Sequence, residues 1–322
     1  MIQPWMTLRV ARTWREATDV ACFELADPEG RDLPPFTAGS HIDVEVAPGL
    51  VRQYSLCNAP DARDRYQIGV LREPESRGGS AGMHDVREGQ AVRVSEPRNH
   101  FALEPSAAHS LLIAGGIGIT PILCMAERLA NIGEPFAMHY AARSPDRAAF
   151  RERIAASSFA DKVVFHFDDG PAGQRLDLAA LLAGPAPGAH LYVCGPGGLI
   201  GAVLDTAKAK GWPDASVHRE FFAPLPAAAA AAEPGQFQVK IASSGEVFTV
   251  PADRPITAVL ADHGVDVPTS CCEGVCGTCL TRVLEGVPDH RDVFMTPDEQ
   301  ARNDQMTLCC SRARSPMLVL DL

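Results

Sequence analysis

The run Ser270-Cys271-Cys272-Glu273-Gly274-Val275-Cys276-Gly277-Thr278-Cys279, followed later by Leu308-Cys309-Cys310-Ser311, decides how the end of this chain folds. Cys271, Cys276 and Cys279 are separated by four and then two residues, and Cys309 follows after 29 more. That is the spacing of a plant-type [2Fe-2S] site. Iron and bridging sulfide want soft, charge-donating ligands, and four thiolates complete two tetrahedral irons. Gly274 and Gly277 suit a loop that folds tightly with backbone N–H groups turned toward the sulfurs. Cys272 leaves only three residues before Cys276, and Cys310 lengthens the last gap by one, so both read as non-ligands. The competing reading is a zinc-binding module or a cysteine-based redox sensor, although zinc ribbons favour two close cysteine pairs over a triplet and a distant single.

Around this loop, 236–322 reads as one domain. Phe237 to Ile241 and Val247 to Val250 flank Ser243-Ser244-Gly245-Glu246 as the arms of a hairpin. Ile256, Val259 and Leu260 mark a helix face with Gly264 as its C-terminal cap. Before it stand Pro224-Leu225-Pro226, the six alanines Ala227 to Ala232, and Glu233-Pro234-Gly235. Six alanines fall well short of the roughly 12 to 15 residues at which an isolated helix becomes marginal, so 226–235 reads as a tether.

Upstream, 105–225 alternates apolar strands with helical stretches: Leu111 to Ala114, Pro121 to Asn131, Val163 to Phe167 and His190 to Val193. This is the rhythm of an α/β domain with a parallel sheet. Residues 1–104 show short alternating segments such as His41 to Val46, Arg65 to Leu71 and Gln90 to Val94, set between Pro/Gly turns, as in an antiparallel barrel or sandwich. The expected whole is multidomain: a β-barrel, an α/β parallel-sheet domain and an α+β tail.

The composition narrows the function. With 46% apolar and 21% charged residues, the chain is neither disordered nor fibrous. A net charge of −11 repels nucleic acid and anionic lipid. No segment approaches the roughly 20 apolar residues of a membrane span, and Met1 to Val10 has no signal-peptide core, so the expected compartment is the cytoplasm. Ten cysteines in that compartment do not form a disulfide framework. The histidines have no metalloprotease spacing, and neither a nucleophile elbow nor a phosphate-loop lysine motif occurs. Lone residues such as His41, His84 and His139 read as packing or surface positions.

Two further segments carry chemistry. In Arg52-Gln53-Tyr54-Ser55-Leu56, an Arg can fork onto a phosphate, a Tyr offers a flat face, and a Ser hydroxyl can reach the N5 edge of a flavin. In Arg77-Gly78-Gly79-Ser80, two glycines let backbone N–H groups approach a phosphate; a surface turn is the plain alternative. Val70 and Arg72, just before that loop, are counted with the flavin contacts. Gly115-Gly116-Ile117-Gly118-Ile119-Thr120-Pro121 sits where strand gives way to helix, a place that favours anions. Pro121 stands where the common dinucleotide fingerprint has a third Gly or Ala, and Thr120 is expected to cap the helix.

Together the cysteine run, Leu308-Cys309-Cys310-Ser311-Arg312-Ala313 and the Arg52 to Leu56 motif resemble the phthalate dioxygenase reductase family, to which vanillate O-demethylase reductases belong. The resemblance covers nearly the whole chain. It implies a Greek-key flavin barrel, a nucleotide domain of the ferredoxin-reductase superfamily and a β-grasp ferredoxin domain. It implies that Arg77 to Ser80 hold the terminal phosphate of FMN, with FAD the alternative, and that Cys194-Gly195-Pro196 lies beside the nicotinamide. Glu220 and Phe222 match the family's Glu-x-aromatic end, whose ring covers the flavin; without the resemblance Phe222 would read as core. Arg143 could meet a 2′-phosphate, whereas Asp168-Asp169 would repel one, and the resemblance favours NADH. The implied activity is electron transfer from NADH through flavin and cluster to a Rieske-type aromatic oxygenase or O-demethylase, by a monomeric reductase. A cytochrome P450 or diiron monooxygenase is the alternative acceptor. The order of parts fits, since hydride carries two electrons, the cluster accepts one, and flavin exchanges both.

Overall fold

The computed structural model describes residues 5–224 and 235–322. The expected tether, 226–235, lies outside the described residues except for Gly235. One compact unit runs to Phe222, and a second comprises Ala223–Leu322.

The first unit opens with an antiparallel sheet of seven strands: β1 (Trp5–Ala17), β2 (Val20–Ala26), β3 (Ser40–Ala47), β4 (Leu50–Ser55), β5 (Tyr66–Leu71), β6 (Ala91–Ser95) and β7 (Arg98–Asn99). Their order is β4-β3-β6-β1-β2-β5, with β7 also on β3. The Leu56↔Ile68 bridge brings the end of β4 to β5 and closes the sheet into a barrel. β6 returns between β3 and β1, the non-sequential pairing of a Greek key. Alternation fills the interior: Leu8, Val10, Phe23, Leu25, Ile42, Val44, Ile68 and Val94 are all buried. A short helix, α1 (Gly79–Asp85), follows β5.

The chain then builds a parallel sheet from β8 (His109–Gly115), β9 (Phe136–Ala142), β10 (Val163–Phe167), β11 (Ala189–Cys194) and β12 (Val217–Glu220), in the order β10-β9-β8-β11-β12. The order reverses between β8 and β11, and ligands bind at the carboxyl ends of strands at such a switch point. Helices α2 (Ile119–Ile132), α3 (Arg151–Ala155), α4 (Leu178–Leu181) and α5 (Gly197–Ala209) connect the strands. α2 is the keystone. Its Ile119, Ile122, Leu123, Cys124 and Met125 share one buried cluster with Met138 and Tyr140 of the sheet and with Cys22 and Cys57 of the barrel. Each such apolar side chain, fully buried, contributes roughly 1.5–3 kcal/mol. Polar ties cross the same seam: Arg153 donates to both Glu127 oxygens at 2.8 Å and to Gln67 of β5 at 3.1 Å. The Phe150 N–H donates to Glu16 of β1 at 2.9 Å. Barrel and parallel sheet are thus one body with a common core.

The second unit carries β13 (Phe237–Ile241), β14 (Val247–Val250), α6 (Ile256–Asp262), β15 (Leu280–Glu285), β16 (Pro288–Asp289), α7 (Pro297–Arg302), β17 (Gln305–Thr307), β18 (Arg312–Ala313) and β19 (Met317–Leu320). β13 pairs antiparallel with β14 and parallel with β19, and β19 continues antiparallel to β15. With α6 buried on this mixed sheet through Ile256, Val259 and Leu260, the arrangement is a β-grasp. Gly264, at φ +77, ends α6 as expected: its N–H reaches Ala261 O and that of Val265 reaches Leu260 O, the paired bonds of a Schellman cap.

Candidate functional site

Arg52, Gln53, Tyr54 and Ser55 end strand β4, where alternation puts Gln53 and Ser55 on one side and Arg52 and Tyr54 on the other. Ser55 is buried and the other three are partly covered. Gln53 Nε2 donates to His41 Nε2 at 3.2 Å, so the buried His41 packs against the motif. Burial pushes the Tyr54 phenol above its usual range. The structure joins the two flavin segments. A Cβ on Gly79 would stand 2.6 Å from Arg52 Cγ and 2.7 Å from its Nε, so the Arg52 side chain crosses the first turn of α1 at a place only glycine leaves open. Gly78 takes φ +87, a left-handed conformation that glycine adopts without a steric penalty. Ser80 Oγ accepts from the Glu73 N–H and donates to Ser76 Oγ, both at 3.0 Å. Arg72 and Arg77 are exposed on the same loop. Val70 is different: its side chain lies in the barrel core, and its carbonyl accepts a 2.9 Å hydrogen bond from His84 Nε2. His84 thereby ties α1 to β5. An arginine drawn across Gly79, with further arginines alongside, is a donor set that fits a phosphate.

The nucleotide motifs meet at the switch point. A Cβ on Gly118 would strike the Cys194 carbonyl and lie 2.6 Å from Gly195 N; one on Gly195 would lie 2.9 Å from Gly115 Cα. Gly115 is closed in by Leu199 and Pro196. These three glycines therefore serve loop-on-loop packing, which the expectation of close cofactor approach did not include. Gly116 differs, with φ +52 and nothing within 4 Å of an added Cβ, so it faces open space. Thr120 is not the expected cap. Helix α2 begins at Ile119, Gly118 holds the cap position without a side-chain bond, and Thr120 Oγ1 instead donates to the Ile117 carbonyl at 3.0 Å. The short 3-10 turn Gly116–Gly118 ahead of the helix shifts the register. Pro121 does sit in the first turn, where its missing N–H costs nothing.

Ser55 Oγ donates to Glu220 Oε2 at 3.3 Å, a link between the end of β4 and the end of β12. The flavin motif and the last strand of the nucleotide domain are thereby adjacent. Glu220 as a residue is half-buried, but its carboxyl is enclosed by protein, and that desolvation raises it to about 8 against the opposing Ser55 bond. Cys194 pairs with Glu220 across β11 and β12 and is fully buried. Burial first, then the Glu220 charge, lift its thiol well above the ordinary range, so it stays a neutral group. Phe222, which would read as core from the sequence alone, is 42% exposed, while Phe221 is the buried ring. Arg143 is exposed at the end of β9, and Asp168 and Asp169 are exposed at the end of β10 beside it: the Asp169 N–H donates to Arg143 O at 3.1 Å. Cation and carboxylates therefore occupy the same rim.

In the second unit, Cys276, Cys279 and Cys309 are buried and Cys271 half-buried. The Cys271 thiol is close enough to those of Cys276 and Cys309, and the Cys309 thiol to that of Cys279, for each to perturb the other's ionisation, so residues 30 positions or more apart in sequence bring their sulfurs together. Backbone N–H groups face them: Glu273 N donates to Cys271 Sγ and Thr278 N to Cys276 Sγ, both at 3.4 Å. Gly274 and Gly277 take φ +73 and +71, the turns expected of them. Gly277 has a second duty, since a Cβ there would lie 2.5 Å from Phe294 Cε2, whose ring seats against the loop. Among the described residues, no three His, Cys, Asp or Glu side chains close around a single metal ion. Four converging thiols, two of which receive N–H···S bonds, fit a two-iron cluster, which divides its ligands between two irons. Cys272 is exposed at φ +55, and Cys310 is partly covered. Gln53–His41, Glu220–Ser55 and Phe294 on Gly277 had no sequence signal beyond residue type, because each joins distant segments.

Comparison with known proteins agrees with this geometry. The family described as "2Fe-2S iron-sulfur cluster binding domain" matches residues 239–314, and the N-terminal domain of dimethylamine monooxygenase subunit DmmA-like proteins matches 92–217. A vanillate O-demethylase oxidoreductase from Pseudomonas sp. (strain HR199 / DSM 7063) is 56% identical over 95% of this chain and 96% of its own. The structure of phthalate dioxygenase reductase, described as modular for electron transfer from pyridine nucleotides to [2Fe-2S], is 41% identical, covers 99% of this chain and 98% of its own, and has a TM-score of 0.73. An intact type IV self-sufficient cytochrome P450 monooxygenase matches 99% of this chain at 39% identity and TM-score 0.88, but the chain spans only 41% of it. Barrel, switch-point sheet and cysteine-bearing β-grasp together define an oxidoreductase that carries electrons from a pyridine nucleotide through flavin to a [2Fe-2S] cluster. The chain belongs to the phthalate dioxygenase reductase family.

Proposed function

We propose that this chain is the reductase component of a Rieske-type oxygenase or O-demethylase acting on an aromatic acid or its methyl ether. It would draw on NADH, use FMN as the flavin, and hold its cluster through Cys271, Cys276, Cys279 and Cys309. The observation that carries the reading is the convergence of these four thiols in a β-grasp unit, on one chain with a flavin barrel whose Ser55 is bonded to Glu220. The proposed division is a flavin domain to 104, a nucleotide domain over 105–225 and a ferredoxin domain over 236–322, working as a monomer. A bound flavin accepts a hydride and releases single electrons, which the cluster passes on.

The protein's own residues do the placing. Arg52, Arg77 and the Gly78-Gly79-Ser80 backbone hold the flavin phosphate, and the single phosphate of FMN suits this compact set. Tyr54 and Ser55 line the flavin, Gly116 leaves room for the dinucleotide, and Cys194-Gly195-Pro196 walls the nicotinamide. The exposed Phe222 ring would lie over the flavin. Asp168 and Asp169 beside Arg143 make the rim unfavourable for a 2′-phosphate, which supports NADH over NADPH.

The test begins with the purified protein. About two irons, two sulfides and one flavin per chain are expected, and acid extraction should release FMN. A colourless, zinc-loaded protein would sink the reading. Pairing the reductase with purified Rieske, diiron and P450 oxygenases then identifies the acceptor class. The likeness to the fused P450 makes the P450 arm the meaningful competitor.

A further inference from the structure

Five thiols, not four, gather at the tip of the second unit. The Cys309 thiol neighbours those of Cys271 and Cys279 and also that of Cys310. The Cys310 sulfur points into the cysteine loop, since a Cβ built on Gly274 would lie 2.5 Å from it. Two hydroxyls flank it, Thr307 Oγ1 at 3.3 Å and Ser311 Oγ at 3.9 Å, which are themselves 3.1 Å apart. Thr307 and Ser311 are 0% and 1% exposed, so these hydroxyls are fixed features of the interior. Hydroxyls placed to donate toward sulfur steady a metal-bound thiolate, as backbone N–H groups do for Cys271 and Cys276. Cys272 has the opposite setting, exposed and in the left-handed conformation.

We propose that Cys310 is a standby ligand for the cluster, able to take the iron position of Cys309 when that thiolate is missing. Cys309 and Cys310 lie on one turn with consecutive Cα atoms about 3.8 Å apart, so the exchange needs rotation of that turn and no rearrangement of the 271–279 loop. The exchange is redox-neutral. The Cys310 thiol releases its proton to solvent as its iron–sulfur bond forms, and in the intact protein the displaced Cys309 sulfur would take up a proton as its own bond breaks. The inference rests on the cluster reading above.

Four variants of the full chain test it: Cys309→Ala, Cys310→Ala, the double variant, and Cys271→Ala. Each is reconstituted anaerobically with iron and sulfide, then read by iron and sulfide content, visible circular dichroism and the EPR spectrum of the reduced protein. Alanine is chosen because it cannot ligate. Cys309→Ala should keep most of its iron with shifted spectra, Cys310→Ala should match the parent, and the double variant and Cys271→Ala should lose the cluster. An iron-free Cys309→Ala protein, or a double variant as well loaded as the single, overturns the proposal. So does a Cys271→Ala protein that stays loaded, because adjacency of any cysteine would then suffice. A parent protein without iron would instead overturn the cluster reading itself, so the two failures are distinguishable.

Discussion

At the scale of single residues, Glu220 was legible only as part of the Glu-x-aromatic end that the resemblance implies. Its particular chemistry comes from enclosure of the carboxyl beside Ser55, 165 positions away. Because burial lifts its folded value to about 8 from 4.5, the unfolded chain ionises first as pH rises. The stabilising contribution is complete below about 4.5 and is lost on the way to about 8. Relative to Glu220→Gln, which stays neutral, the parent should therefore lose thermal stability between pH 5 and 8, and melting curves at several pH values check this. A constant gap would mean that the carboxyl is ionised throughout. Gly118 supports a second prediction. The backbone of Cys194 and Gly195 blocks a Cβ there, and backbone cannot swing aside as a flexible side chain can. Gly118→Ala should cost about 2 kcal/mol or more, read as a lowered melting temperature with weakened nucleotide binding. The glycine run was legible as a strand-to-helix turn. That Gly115, Gly118 and Gly195 are needed against one another was not, because 76 residues separate Gly118 from Gly195.

Among the elements, those with strong local periodicity were readable. Val163–Phe167 falls where its apolar run placed it, Phe237–Ile241 and Val247–Val250 fall where the expected hairpin placed them, and α2 extends the expected Pro121 to Asn131 by a few residues. The misplaced cap on α2 has a physical cause: the 3-10 turn at Gly116–Gly118 uses up the residues before the helix, leaving Thr120 inside it. Cross-strand partners were invisible for want of register. His139 and His166, on β9 and β10, stack at 5.2 Å and share a 2.9 Å hydrogen bond between Nδ1 and Nε2. His166 Nδ1 in turn meets the Gln174 carbonyl at 3.1 Å. Desolvation first, then the neighbouring His166, hold His139 down to about 4 from 6.5. The unfolded chain therefore protonates before the folded one as pH falls. The stability present above about 6.5 drains away toward pH 4. His139→Gln should flatten that part of the stability profile, measured by urea unfolding followed through flavin release; an unchanged slope would show that the pair does not govern acid sensitivity.

For the molecule as a whole, the division into barrel, parallel sheet and cysteine-rich tail was legible because each part has its own hydrophobic rhythm. The shared core under α2 was not, since Cys22, Cys57 and Cys124 read only as scattered small apolar residues until the strands brought them together. Residues 236–322 hold 7 Lys and Arg against 12 Asp and Glu, a net of −5 before any cluster charge. If the acceptor presents a basic patch, delivery to it should slow steeply with ionic strength, while flavin reduction by NADH should not. Stopped-flow measurement of both steps across a salt series separates them, and a salt-independent delivery rate removes charge steering from the account.

The sharpest consequence of the two-unit architecture is that the entry and exit of electrons can be cut apart by one atom. Cys276 lies in the second unit, buried and beside Cys271, whereas Arg52, Ser55, Glu220 and the glycine loops lie in the first. Cys276→Ser exchanges a soft sulfur for a hard oxygen in the ligand set and weakens iron binding, without touching the barrel or the parallel sheet. Flavin content and the rate of flavin reduction by NADH should match the parent, and so should reduction of ferricyanide taken directly from the flavin. Transfer to an acceptor that depends on the cluster should fall by orders of magnitude. A parallel loss of flavin reduction would mean that the two units depend on each other for folding or for chemistry, and that the relay is not divisible where the chain divides.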